Sequence, residues 1–411
     1  MKAINKRFII LFILLSLCLI LKVNTLSNLD EKLFHPNSEF PKVCTLEDEN
    51  VIVISSEING QIAYIAKFDK DGRFLYFNST ILKSFSEDAH IVQPSNSDYY
   101  FVAYHNKLTS KNVETKENIY TFKDKNTIIS NIQRKNGIYQ KTSVVSLKNG
   151  NIVVAGIGPK SGFGAETQTD INIYNPKTLS SGTGFSFNGH SDYISCFEQK
   201  ENDVFCAFVS YEDVFISKLK IKHIIVNGNT LSDGGDQVIK DFYTPFNFLK
   251  AIRFNDEEFL ILFQTGDGKD KLGHGGGNLF FYQLKLAASP FLVNVKRYEY
   301  LYPYCFFDKN THDPEHQNAD IAVLSKNKIY AVCETGENQL KGFIIYNDIL
   351  DKPEITEFDF INNGADDVKS PAFAIFGQSL GLFYTHINPN KNKKIGLQLI
   401  NFFCFWSIFN T

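Results

Sequence analysis

A nearly all-β chain of seven four-stranded antiparallel units, closed as the blades of a β-propeller, is what this sequence of 411 residues predicts. Three observations predict it. An apolar, strand-like run recurs roughly every fifty residues, a period typical of propeller blades. Aromatic side chains are abundant, with 38 Phe and 19 Tyr but one Trp, and the only Met is the initiator. No helical periodicity is sustained beyond the first 27 residues.

The recurring run is VIVISS from Val51, YYFVAY from Tyr99, NIVVAG from Asn151, DVFCAF from Asp203, EEFLILF from Glu257, KIYAVC from Lys328 and SLGLFY from Ser379. Successive spacings are 48, 52, 52, 54, 71 and 51 residues, so only the fifth interval is irregular. Each copy is preceded by a shorter apolar run (KVCTL, HIVQP, SVVSL, YISCF, LKAIRF, DIAVLS, AFAIF). Each is followed after a polar loop by a third (IAYIAKF, NIYTF, INIYN, VFISKL, LFFYQLK, FIIYN, IGLQLI). A weaker fourth run follows in places, as in 73–81 and 291–300. Asn59-Gly60, Asp71-Gly72 and Asn149-Gly150 sit where hairpins need residues of positive φ. One four-stranded sheet cannot bury both its faces, whereas radial stacking covers them with rings and branched side chains between blades.

The N-terminus reads differently. Lys2, Lys6 and Arg7 precede a 14-residue apolar run, Phe8–Leu21, the layout of a secretory signal peptide and shorter than the roughly 20 residues of a spanning helix. Cleavage is expected after Ser27; an uncleaved signal-anchor is the alternative. Residues 28–40 are then an N-terminal linker or closing segment, and 41–411 a single propeller domain. The mature chain is expected to be secreted or extracellular, with no membrane span.

Composition limits the partners. An apolar fraction of 43% with net charge −3 excludes a disordered chain, and 42 basic against 45 acidic residues leaves no cationic excess for a nucleic acid. Removal of Cys18 with the signal leaves six cysteines, an even number that favours disulfides in an exported chain. Cys196 and Cys206 fall opposite each other in the first hairpin of blade four. Cys44–Cys404 is expected to latch blade one to blade seven, unless Cys404 belongs to a tail that pairs with nothing. Cys305–Cys333 would then span the irregular interval. Asn78-Ser79-Thr80 is a glycosylation acceptor.

In these features the chain resembles a divergent secreted or cell-surface β-propeller ectodomain over about residues 40–401. The resemblance is one of architecture. WD repeats need a Trp-Asp pair, and Trp406 precedes Ser407; no Asp box occurs; Gly234-Gly235 and Gly275-Gly276-Gly277 do not recur at the kelch position. No functional residue carries over from it.

Long loops between second and third strands share one end of the molecule with the insertion at about 301–319, making that end the expected ligand face. Asp267, Asp270 and His274 lie in its Gly-rich loop, and His312 and His316 in the insertion. His312-Asp313-Pro314-Glu315-His316 offers metal-type ligands, but on an irregular loop, so a solvated polar loop is the simpler reading. The Gly-rich loop has no helix behind it to cradle a phosphate. Neither a nucleophile elbow nor a zinc-helix motif is present. No cofactor, metal or catalytic residue is therefore assigned. The expected function is a non-enzymatic module binding a protein or a glycan through that face. The alternative is a hydrolase or lyase acting on an extracellular carbohydrate or lactone, since propellers assemble active sites from residues scattered over many blades.

Overall fold

The computed structural model describes residues 32–400 apart from internal loop segments, the longest of them 106–116 and 307–318. Blade one is β2 (Ser38–Thr45), β3 (Val51–Glu57), β4 (Ala63–Phe68) and β5 (Phe74–Ser79). Blade two is β6 (His90–Val92), β7 (Tyr99–His105), β8 (Glu117–Lys123) and β9 (Thr127–Arg134). Blade three is β10 (Lys141–Ser146), β11 (Ile152–Pro159), β12 (Thr167–Tyr174) and β13 (Phe185–Asn188). Blade four is β14 (Ile194–Lys200), β15 (Asp203–Asp213), β16 (Ile216–Asn227) and β17 (Thr230–Phe242). Blade five is β18 (Phe246–Arg253), β19 (Glu258–Lys269), β20 (Gly275–Leu286) and β21 (Val293–Phe306). Blade six is β22 (Ala319–Ser325), β23 (Lys328–Glu334), β24 (Leu340–Tyr346) and β25 (Ile355–Asp359). Blade seven takes β26 (Asp367–Phe376), β27 (Ser379–Ile387) and β28 (Lys393–Ile400) from the end of the chain and β1 (Lys32–Phe34) from its start.

All seven sheets are antiparallel, six of them simple meanders and the seventh completed by β1, and the described residues contain no helix. The apolar runs are continuous rather than alternating because both faces of each blade are covered. Val51, Ile52, Val53 and Ile54 are all fully buried. Val51 and Val53 join the cluster against blade seven, and Ile52 and Ile54 the one against blade two. Each of the seven gaps between neighbouring blades holds one such cluster. The Phe residues fill them: Phe263, fully buried between blades four and five, meets Phe242, Phe246 and Phe280 at 5.3–5.5 Å. Hairpin turns follow the residues that predict them. Gly72 (φ 74°) and Gly150 (φ 85°) take the left-handed conformation at the tight turns, whereas Asn59-Gly60 lies outside the described residues.

The ring closes through β1, which pairs antiparallel with β28: Lys32 opposite Leu397, Leu33 opposite Gly396 and Phe34 opposite Ile395. Phe34 then meets Phe68 of blade one at 5.2 Å and Phe383 at 6.1 Å. Closure is thus by hydrogen bonds and ring packing. Cys44 keeps a free thiol, so the expected Cys44–Cys404 latch does not form, and Cys404 itself lies outside the described residues. Cys44 is on the innermost strand of its blade, whereas β28, from which the chain leaves blade seven, is the third strand out from the axis. Cys196–Cys206 does form, between directly opposed residues of β14 and β15. Cys333 is also disulfide-bonded; Cys305 lies on β21, with its side chain outside the described set.

Candidate functional site: the central channel

The loop residues singled out from sequence cannot be assembled into a site. Asp267 is on β19 with its side chain outside the described set, and Asp270, His274, His312 and His316 are outside it altogether. The signal segment 1–27 is likewise outside. Asn78 is on the outer strand β5, opposite Ile65. Among the described residues no group of three or more His, Cys, Asp or Glu could hold a metal ion, and no helix is long and apolar enough to cross a membrane.

What the fold does assemble is a cavity of about 440 Å³ on the propeller axis, lined by residues of the innermost strand of every blade. One position per blade carries its chemistry: Lys42, His90, Ser143, Ser195, Lys250, Asp320 and Ala372. Tyr193, Thr142 and Arg253 add to the wall. These residues stand 48 to 70 positions apart along the chain and converge only because the ring closes.

Several of the polar groups stitch neighbouring blades. Ser143 Oγ accepts from Cys196 N at 2.8 Å, joining blades three and four. Ser195 Oγ accepts from Ala251 N at 2.9 Å and donates to Ala251 O at 3.3 Å, joining four and five. Asp320 is 1% exposed, and its carboxylate accepts from Lys250 Nζ, from its neighbour Ile321 N at 2.8 Å and from Phe373 N at 2.7 Å, tying blades five, six and seven. Thr45 Oγ1 accepts from Ile375 N at 3.0 Å and joins seven to one. A buried carboxylate supplied with this many donors is spent on structure.

The end of the channel where the first strands begin carries two further buried carboxylates. In β2 and β26 the register slips at Phe40-Pro41 and at Ser370-Pro371, with Phe40 (φ 57°) and Ser370 (φ 53°) in the left-handed region. Left-handed backbone at a bulky residue is costly and persists only where neighbours hold it. Thr385 Oγ1 accepts from Phe40 N at 3.0 Å, Glu334 accepts from Ser370 N, and Lys393 pairs with Glu39. Glu39 and Glu334 are thus committed as well. Among the described residues the wall of the cavity accordingly carries Lys42, Lys250 and Arg253 with one carboxylate, Lys250 being paired with that carboxylate and Arg253 with Asp256. Chemically it is a lined pore rich in donors and poor in acid–base carboxylates.

A second surface has different chemistry. On the outer rim of blade five, Tyr298 (41% exposed) stacks on Phe280 at 5.6 Å, Tyr300 (48% exposed) meets the same ring at a tilt at 5.5 Å, and Lys240 of blade four lies 4.8 Å from the Tyr298 ring. Burial of the ring bodies pushes the Tyr282 and Tyr298 hydroxyls above the usual phenol range.

Comparison with solved structures returns the β-propeller domain of the trilobed protease of Pyrococcus furiosus, with a TM-score of 0.47 at 12% identity over 90% of this chain and 99% of that one. The polysaccharide lyase Uly1 superposes with a TM-score of 0.53 at 8% identity, over 88% of this chain and 89% of that one. The likeness is one of fold. An α-L-arabinanase of Penicillium chrysogenum complexed with arabinobiose gives 0.49 at 10% identity, over 90% and 96%. An α-L-arabinofuranosidase of Fusarium graminearum gives 0.48 at 10%, over 89% and 93%. No protein-family profile and no curated protein matches the sequence. Sequence reasoning missed the channel residues because each is a single polar side chain in its blade. The one available signal was a polar residue recurring inside the first apolar run, as in KVCTL, HIVQP, LKAIRF and DIAVLS.

Proposed function

We propose that this propeller is an exported binding module whose central channel takes an acidic glycan. The observation that carries the proposal is the composition of the channel wall, where Lys42, Lys250, Arg253, hydroxyls and an imidazole stand with a single carboxylate among the described residues, Asp320, which Lys250 and two backbone amides already engage. Donors and cations in a water-poor concavity suit a uronate or a similar anionic sugar. Glycoside hydrolysis ordinarily needs two carboxyl groups roughly 5–10 Å apart, and among the described residues Asp320 has no second carboxylate beside it in the wall. The disulfide Cys196–Cys206 supports an oxidising compartment. A polysaccharide is also what the description of Uly1 names, which is a statement about that protein.

The test is calorimetric titration with oligouronates and with neutral oligosaccharides of equal length. Binding should be confined to the acidic series, weaken with salt, and fall at least ~10-fold in Lys42→Ala, equivalent to about 1.4 kcal/mol. Equal binding of neutral sugars, or an unaffected Lys42→Ala, counts against the reading.

A second reading rests on His90 and Tyr193 lining the same wall as the cations. β-Elimination from a uronate needs a base for the proton beside the carboxylate, a cation to neutralise that carboxylate, and an acid for the departing glycosidic oxygen. Ultraviolet absorbance of the unsaturated product on mixing with polyuronates, abolished in His90→Ala, would move the protein to that class.

A further inference from the structure

The outer rim where blades four and five meet concentrates large apolar side chains in water. Of the nine exposed among the described residues, five (Val238, Tyr243, Val295, Tyr298 and Tyr300) lie in or directly beside β17 and β21. Blade five is aromatic from axis to rim on the face turned to blade four. Phe246 stacks on Phe263 at 5.5 Å, Phe263 on Phe280 at 5.3 Å and Phe280 on Tyr298 at 5.6 Å. The inner rings of this ladder are buried between the blades, whereas Tyr298 and Tyr300 at its end are nearly half exposed. Exposed aromatic surface continuous with a packed core marks a place where a ligand is held.

The facing wall is β17, and it brings a cation. Lys240 stands opposite Leu219, which packs toward blade five, so its ammonium enters the same cleft, 4.8 Å from the Tyr298 ring and 5.6 Å from Phe242. Among the described residues Lys240 forms no ion pair. Nearby acids are turned away or engaged: Asp236 and Asp241 stand opposite Lys222 and Lys218 on the other face of the blade, and Arg297 holds Glu299. The Gln237 side chain donates to Val293 O at 3.0 Å and accepts from Val293 N at 2.7 Å, pinning the two outer strands beside the cleft. Rings and cation are therefore fixed before any ligand arrives. Tyr298, Tyr300 and Lys240 together expose about 300 Å², well under the roughly 800 Å² per partner of a stable protein interface. One or two sugar rings need no more.

We infer that this cleft is a second sugar site, in which an acidic pyranose lays its C–H face on Tyr298 and Tyr300 and sets its carboxylate on Lys240. The ligand class rests on the acidic-glycan reading above, while the residues are separate from those of the channel.

Calorimetric titration of the full chain with tetragalacturonate tests it. The wild-type isotherm should resolve two sites, the weaker one at the open rim. In Lys42→Ala the rim site should remain, and adding Lys240→Glu should weaken it at least ~10-fold, as should replacing tetragalacturonate by the neutral maltotetraose. Tyr298→Ala should abolish the same site with far-UV circular dichroism unchanged; if that variant does not fold, the exposed Lys240→Glu still decides. A single wild-type site that Lys42→Ala removes and Lys240→Glu does not overturns the rim and keeps the channel. A single site with the opposite response keeps the rim and overturns the channel reading. Maltotetraose bound as tightly as the acid at the rim overturns the inference. So does a dimer in sedimentation that Tyr298→Ala or Lys240→Glu dissociates, which assigns the surface to a second copy.

Discussion

At the start of β19 the carboxylate of Glu258 sits between Lys296 Nζ and Gln283 Nε2, each 2.7 Å away. Burial works against its charged form, but the bonds from Lys296 and Gln283 outweigh it and hold the carboxyl below the usual range. A depressed folded value means stability that is complete above the unfolded pKa of about 4.3 and lost as pH falls through the folded one. Glu258→Gln should therefore cost about 1–3 kcal/mol at neutral pH and flatten the acid limb of stability. Urea midpoints taken from acid to neutral pH test this, and an acid limb as steep as the wild type's would show that other carboxylates govern it. The cysteines make a second residue-scale prediction. Burial pushes the Cys44 thiol up to about 12, so alkylation at neutral pH should leave it untouched until the protein unfolds. Peptide mapping without reductant should join Cys333 to Cys305; a Cys333–Cys404 peptide is the contrary result. Cys196–Cys206 was legible in the sequence because both partners belong to one hairpin. Cys44–Cys404 joins residues from distant repeats, with no shared hairpin to fix the pairing, and Cys44 is free.

Elements buried on both faces were the most legible. The first, second and third apolar runs of every repeat fall on the three inner strands of their blades, since a strand covered on two sides has to be apolar throughout. Outer strands are half in water and correspondingly faint: β13 has four residues and β25 five, of which Glu357 and two others are exposed. The missing fourth strand of blade seven is fainter still, because its partner residues stand at the opposite end of the sequence. Pro41 and Pro371, each immediately ahead of a predicted first strand, were the readable sign of the two bulges at the channel mouth. The β1 closure has a measurable weight. Phe34→Ala should cost about 2 kcal/mol, less than the 3–5 kcal/mol of a fully buried Phe because Phe34 is half-buried. An unchanged Tm would mean that closure is carried elsewhere.

As a whole the molecule is a closed cycle of interfaces, so no blade can leave without uncovering two apolar clusters. Calorimetry should show one transition. Phe383→Ala, at a fully buried ring touching Phe34, Phe68 and Phe376, should lower that transition without splitting it, at a cost of about 3–5 kcal/mol. Two resolved peaks would show that blades melt separately. The channel chemistry also exists only at this scale, which is why a linear reading located the repeat but not the residues at its centre. The pairing of residues 32–34 with 395–397 also has a consequence in time. During synthesis the first strand of the fold emerges early and finds its partner only after the intervening six blades have been made. Six blades can collapse as they appear, but the seventh cannot be completed until β28 arrives, and such a long-range closure is slow. Until then β28 has not yet been made and the apolar flank of blade one stands open, the state in which a nascent chain is most exposed to aggregation and to retention by chaperones. A product cut short before residue 395 can never leave that state, so the fold carries its own check that translation reached the end of the ring.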